Sequence, residues 1–293
     1  MKLDMCPICK SEDTVEFYLA DINPSELSFT YTKTPNSNKT FRSVRCRNCT
    51  HVFCTPLPKN IYKNYEDVVD KEYLRYEISL VTSARLVLKL IKNYFPSGAI
   101  LDVGCATGAF LEMAKKEGYS VEGLELSKWS SEIAKKRGIK IYRKRLDALA
   151  KQKPKSYDVI TLFGVIEHFE EPVKEIQAIQ KLLKPGGLLV VWTGDINSLP
   201  SKLLGKKWWY WQGQHIQYFT EKSLTYLGKL CGFQHRSTKI YPFIATYELM
   251  GNYLGRYSKR SLLMRLLKPV FKLKPVWVLR LPGEMLWVAS KRG

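Results

Sequence analysis

Ala99-Ile100-Leu101-Asp102-Val103-Gly104-Cys105-Ala106-Thr107-Gly108 is the stretch on which the fold turns. Its first five residues read as a short buried strand, and it runs straight into a glycine-bounded loop. A helix is expected next, from Ala109 to Glu117, with a stop at Gly118. Strand, glycine loop and helix bring backbone amides close to a ligand at the carboxyl end of a sheet. Glycine permits both the tight turn and the close approach. A tight strand-to-helix turn with no ligand is the alternative.

The pattern repeats downstream. Ser120-Val121-Glu122-Gly123-Leu124 reads as the next strand and ends at Glu125, where an acid can accept from ribose hydroxyls. Ser127 is placed to cap a helix that runs to Arg137-Gly138. Ile139–Tyr142 predicts a third strand and Tyr157–Leu162 a fourth. A helix is expected from Pro172 to Leu183, with Lys184-Pro185-Gly186-Gly187 as its stop and turn, before the strand Leu188–Trp192. Strands alternating with helices predict a parallel sheet covered on both faces.

This ordered set resembles the class I methyltransferases that use S-adenosylmethionine. Leu101–Gly108 resembles their motif I, with Ala106 standing where the usual loop carries a glycine. Glu125 matches their ribose-binding acid, and Tyr157–Ile160, Glu167-His168-Phe169 and Leu183–Gly187 match their later strand blocks. The resemblance implies an α/β, Rossmann-like, doubly wound sheet of seven strands, mostly parallel, with an antiparallel last strand. Glu284–Ser290 resembles that closing strand. By position, Gly104 and Gly108 would lie against the methionine part and ribose, and Asp102 would fix the loop and the ligand's amino group. Glu125 would hold the ribose hydroxyls, Leu126 would pack on the adenine, and Asp147 would face its amino group. Phe163 and Gly164 would supply backbone near the sulfonium.

Upstream, Cys6-Pro7-Ile8-Cys9 and Cys46-Arg47-Asn48-Cys49 form two Cys-x-x-Cys knuckles. Four thiolates paired this way are the ligand set of a closed tetrahedral zinc site. Unrelated buried thiols or a redox dithiol are the alternatives. No further polar ligand points to an open position, so the zinc is expected to be structural. His51 reads as an ordinary surface or strand residue, and Cys54, Cys105 and Cys231 as packing thiols. Asn23-Pro24-Ser25 and Thr34–Asn38 read as turns between the knuckles. The expected organisation is a zinc module over 1–60, a helical linker or lid over 61–97, and a methyltransferase domain over 98–293. In the linker, a helical pattern spans Asp70 to Tyr94. Tyr62, Tyr65, Tyr73 and Tyr76 there read either as packing between the two parts or as a lid of phenols.

The acceptor side is read from histidines and aromatics. His168 follows the fourth strand, and His215 sits in the segment Trp208-Trp209-Tyr210-Trp211-Gln212-Gly213-Gln214-His215. Imidazole titrates near neutrality, so either could take a proton from a hydroxyl or carbon acid. Local capping or packing is the alternative for each. The aromatic cluster reads as an acceptor wall or a core patch. The Asn/Asp-Pro-Pro-aromatic motif of many nitrogen methylators is absent after the fourth strand, as is the Pro-Cys nucleophile of the cytosine-C5 type. The two knuckles with the Glu-His block resemble enzymes that methylate sugars or other small metabolites. The implied reaction is methyl transfer to a hydroxyl or carbon, in cell-surface glycan or natural-product synthesis. The alternative is an RNA- or protein-modifying methyltransferase that docks through the zinc module and basic surface.

Composition bounds the partners. The 293 residues carry 47 basic and 27 acidic side chains, a net +20, which favours anionic partners. With 45% apolar residues the chain can bury a core, which excludes a disordered or collagen-like reading. The start lacks the apolar run of a signal peptide, no run of about 18 apolar residues is present, and the cysteines read as reduced. A cytoplasmic location is therefore expected. Between Glu248 and Glu284 lie Arg256, Lys259, Arg260, Arg265, Lys268, Lys272, Lys274 and Arg280, and no acid. That insertion, over about 251–282, reads either as an interfacial helix on an anionic membrane carrying a lipid-linked acceptor, or as an amphipathic helix on the protein's own core.

Overall fold

The computed structural model describes residues 4–23, 27, 29–32, 38–58, 61–247, 249–251 and 269–293. The expected turns at Pro24-Ser25 and Thr34–Ser37, and the basic side chains from Arg256 to Lys268, lie outside the described residues.

The amino-terminal part contributes three short strands, β1 (Thr14–Tyr18), β2 (Ser43–Cys46) and β3 (Val52–Cys54). A short helix α1 (Ile61–Glu66) follows. The helix expected from Asp70 to Tyr94 divides into a 3-10 turn, Lys71–Tyr76, and α2 (Glu77–Lys92). Asp70 accepts from the Tyr73 amide, and this cap starts the tighter turn.

The expected alternation then appears as β4 (Ala99–Val103), α3 (Ala109–Lys116), β5 (Ser120–Leu124), α4 (Lys128–Lys136), β6 (Lys140–Tyr142), α5 (Leu146–Gln152) and β7 (Tyr157–Phe163). A 3-10 turn at Ile166–His168 precedes α6 (Pro172–Leu182) and β8 (Leu183–Gly194). Lys184–Gly187 therefore belongs to the strand rather than to a turn before it. Tyr157 pairs with Leu183 while Val159 pairs with Leu188, so these four residues bulge out of the ladder. Beyond β8 come α7 (Leu199–Leu204), β9 (Gln217–Tyr218), α8 (Glu221–Leu230), β10 (Phe233–Ile240), β11 (Phe243–Ala245), β12 (Trp277–Leu279) and β13 (Glu284–Lys291).

Seven strands form one sheet in the order β10-β13-β8-β7-β4-β5-β6. β13 runs antiparallel to both β8 and β10, and the pairs from β6 to β8 are parallel. The core follows the period-two alternation of buried strands. Leu101, Val103, Ile160, Leu162, Leu189 and Val191 face one apolar layer with α5, α6 and α8. Ile100, Val159, Leu188 and Val190 face another with α2 and α3. Both faces are covered, as doubly wound topology requires.

A second sheet has the order β1-β2-β3-β9. Its last strand comes from far downstream: Val52 and Phe53 pair with Tyr218 and Gln217. Beneath it, Val52, Cys54 and Ile61 pack with Ile196, Trp208, Trp211 and Tyr218. His51 is fully buried beside this seam and differs from a surface residue. Its Nε2 donates to Gln217 Oε1 at 2.7 Å, and Phe53 and Phe219 flank its ring. No helix among the described residues is long and apolar enough to cross a membrane.

Candidate functional site

A cavity of about 370 Å³ opens at the carboxyl ends of β4, β5, β7 and β8, a volume suited to a small ligand. Its first wall is the loop after β4. Gly104 (φ 69°), Ala106 (φ 46°) and Gly108 (φ 80°) are all left-handed. Ala106 thus holds a glycine-type conformation with a side chain, and its amide donates to Glu125 Oε2 at 2.9 Å. A Cβ on Gly104 would lie 2.5 Å from Val165 Cγ2, so the turn needs glycine for space as well as for φ.

Glu125 is buried at the end of β5 and lines the cavity. Its Oε1 accepts from the Ser127 amide (2.8 Å) and the Tyr31 hydroxyl (3.2 Å). Burial raises its pKa, and these donors together with the Ala106 amide oppose the rise. Leu126, Phe163 and Gly164 also line the cavity. Asp102 sits behind the loop and accepts from Thr161 Oγ1 at 2.6 Å, while burial pushes its carboxyl up to about 7. Gly108 caps α3 and is not part of the lining. Asp147 is also outside the lining, with a side chain 67% exposed near Arg145. The reason is helical phase: Leu146, one residue earlier, takes the buried face of α5 and reaches the cavity.

The opposite wall joins segments remote in sequence. His168 and His215 meet on this wall, and both line the cavity. His168 Nδ1 lies 2.9 Å from the Gln214 carbonyl and His215 Nδ1 lies 2.7 Å from the Tyr210 carbonyl. A carbonyl can only accept, so each Nδ1 carries the proton and each Nε2 is the basic nitrogen. Burial holds His168 down to about 4, so it is neutral near pH 7. The Tyr65 hydroxyl reaches its ring at 3.1 Å. Glu167, adjacent and buried, accepts from the Tyr210 hydroxyl and from Thr193 Oγ1 at 3.0 Å. Burial pushes Glu167 up to about 7.

The aromatic cluster is divided between two roles. Trp208 and Trp211 are core, whereas Trp209 and Tyr210 line the cavity. Trp192 and Trp209 donate their indole N–H groups to the two oxygens of Glu284, and Tyr241 stacks on Trp192. All four linker tyrosines, Tyr62, Tyr65, Tyr73 and Tyr76, line the cavity. Tyr31, Trp192, Tyr241 and Glu284 carried no local signal that would mark them. Glu167 was visible only as the neighbour of His168.

Away from the cavity, Cys6, Cys9, Cys46 and Cys49 converge, with every sulfur within 4.8 Å of the others. Cys6 Sγ lies 3.6 Å from Cys49 Sγ, and Cys9 Sγ lies 3.5 Å from Cys46 Sγ. A zinc–sulfur bond of about 2.3 Å gives a tetrahedron with edges of roughly 3.8 Å, so this donor set suits that ion. Cys54, Cys105 and Cys231 are buried apart from the cluster.

Comparison with known proteins agrees with this architecture. The model of a methyltransferase-domain family matches residues 71–238, more than half of the chain. A SAM-dependent methyltransferase of Archaeoglobus fulgidus superposes with a TM-score of 0.53 at 20% identity, over 76% of this chain and 100% of its own. One from Thermotoga maritima gives the same TM-score and identity over 80% and 100%. Among curated proteins, the ubiquinone biosynthesis O-methyltransferase of Vibrio cholerae is 36% identical over 94 residues, covering 30% of this chain and 38% of its own. That of Nitrosospira multiformis is 37% identical over 111 residues, covering 36% and 46%. The chain spans less than half the length of these curated relatives. The family match, the seven-stranded sheet and the loop-and-acid cavity agree: the chain belongs to the class I S-adenosylmethionine-dependent methyltransferases and is an enzyme of that family.

Proposed function

We propose that this enzyme methylates a hydroxyl or carbon atom of a small acceptor, a sugar or another metabolite, held against the aromatic wall of the cavity. The observation that carries the reading is the pair of cavity-lining histidines with Nδ1–H tied to backbone carbonyls. In each ring Nε2 is then the basic nitrogen, the one that would take a proton from an acceptor, and the Tyr65 hydroxyl lies 3.3 Å from that of His168. S-adenosylmethionine, when bound, supplies the activated methyl group. The chain's part is to align the acceptor and take its proton. The matched relatives are named O-methyltransferases, which favours a hydroxyl acceptor.

Gly104, Glu125, Leu126 and Phe163 would hold the cofactor, with Asp102 and Gly108 supporting the loop from behind. Asp147, being exposed, is better read as surface charge. The four cysteines would hold a structural zinc that organises residues 1–60, with 61–97 as lid and 98–293 as catalytic domain. A test is methyl transfer from labelled S-adenosylmethionine to a panel of nucleotide sugars, lipid-linked glycans, phenols and RNA. Labelling of a small hydroxyl acceptor, lost in His168→Asn or His215→Asn, supports the reading. Labelling of RNA alone would overturn it.

A further inference from the structure

Residues Thr30, Tyr31 and Thr32 form a strap from the amino-terminal part, and all three line the cavity. Asp70 holds the strap. Its Oδ2 accepts from the Tyr31 amide (3.0 Å), the Thr32 amide (2.9 Å) and Thr32 Oγ1 (2.8 Å). Its Oδ1 accepts from the Tyr73 amide, so the same carboxylate caps the lid's 3-10 turn. The Tyr31 ring leans on Tyr73 with centroids 5.1 Å apart. Its hydroxyl ends on Glu125 Oε1 and accepts from Ser130 Oγ at 3.1 Å.

The acceptor positions on Glu125 can be counted. A carboxylate offers about four lone-pair directions. Among the described residues four donors bear on Glu125: the Ala106, Ser127 and Leu126 amides and the Tyr31 hydroxyl. The Ala106 and Ser127 amides are fixed, one by the glycine loop and the other by the cap of α4, where Ser127 Oγ accepts from Ser130. No position is left over, and a ribose diol brings two hydroxyls. Burial and the Glu125 charge raise the Tyr31 pKa, so the phenol keeps its proton and stays a donor.

We propose that the Thr30–Thr32 strap is a gate on the cofactor site. The Tyr31 hydroxyl holds the place of a ribose hydroxyl on Glu125 and must swing away before a nucleoside is fully bound. This inference rests on the reading of Glu125 as the ribose acid. The strap also reaches the acceptor side. The Thr30 amide lies 3.4 Å from Gln214 Oε1, and Gln214 Nε2 donates to the Thr30 carbonyl at 3.1 Å. The Gln214 carbonyl in turn holds His168. Release of the strap by a nucleoside therefore alters the neighbours of both histidines, and the coupling is reciprocal.

The test uses the full chain and S-adenosylhomocysteine as probe, with calorimetry for affinity and stopped-flow tryptophan fluorescence for rate. Tyr31→Phe keeps the ring and removes the competing hydroxyl. It binds the probe about fivefold tighter, because the closed fraction no longer subtracts from affinity. Asp70→Asn loosens the strap while keeping a capping oxygen, and shifts affinity in the same direction. In the wild type the observed rate saturates with probe concentration, and in Tyr31→Phe it rises linearly. Unchanged or weaker binding in Tyr31→Phe, with binding lost in Glu125→Gln, would overturn the gate and leave the ribose reading standing. Wild-type affinity in Glu125→Gln would overturn both.

Discussion

The imidazole rings of His168 and His215 meet edge to face, with centroids 4.8 Å apart and planes at 68°. One follows β7 and the other precedes β9, and the backbone carbonyls of Gln214 and Tyr210 set both tautomers. Two basic nitrogens are thereby confined to one wall of one cavity.

Replacing either histidine by asparagine is expected to lower kcat by about 10²–10⁴, the range for loss of a positioned base. Binding of S-adenosylhomocysteine should change little, because Glu125 and the glycine loop lie on the opposite wall. The double variant should be scarcely worse than the poorer single one, since groups that act as a unit are not additive. Steady-state kinetics beside calorimetry separate the two effects.

The buried groups on this wall also predict how stability depends on pH. An ordinary imidazole titrates near 6.5, and burial holds His168 down to about 4. Below 6.5 the unfolded chain takes a proton that the folded chain refuses. The contribution is full above about 6.5 and falls as pH drops towards 4, by up to about 3 kcal/mol. Glu167 runs the other way. Its folded value of about 7 lies above the ordinary 4.5, so its contribution is full below about 4.5 and lost as pH rises through 7. Urea unfolding between pH 4.5 and 7.5 should show a shallower acid-side loss for His168→Asn. Glu167→Gln should show a shallower loss towards neutral pH.

Purified chain should contain one zinc per molecule by atomic emission, held by the four knuckle thiolates. Cys46→Ser is expected to leave less than one equivalent. It should also lower Tm by roughly 5–10 °C, since metal binding at such a site contributes to folding. Cys46 ends β2, so loss of the ion loosens the sheet that β9 completes.

Gly104→Ala should destabilise the fold by about 2–3 kcal/mol, from a left-handed φ and a methyl forced against Val165. Val165→Ala in the same chain should recover part of this loss, the part due to the clash. The part due to φ should remain. Urea unfolding of the two single variants and the double variant measures the split.

Much of this molecule was legible before the fold was known. Strands β4 and β5 fall at their expected bounds, because a buried strand needs only an apolar run between turn signals. Ser127 caps its helix as its position suggested, and capping is decided within four residues. The knuckles announced their own convergence. Lys184–Gly187 misled because a helix stop and a strand bulge use the same residues, and only pairing with Tyr157 and Val159 separates them. Asp147 misled by one residue of helical phase.

The sequence alone determined the α/β alternation, the glycine loop, the acid after β5 and the four-thiolate set, since each depends on neighbours a few residues away. Tertiary structure alone decided that Gln217 and Tyr218 complete the amino-terminal sheet, that His168 faces His215, and that Tyr31 rests on Glu125. Each of these joins segments with no common periodicity. The physical reason is that strand register, layer packing and strap anchoring are set by long-range burial, which no local pattern encodes.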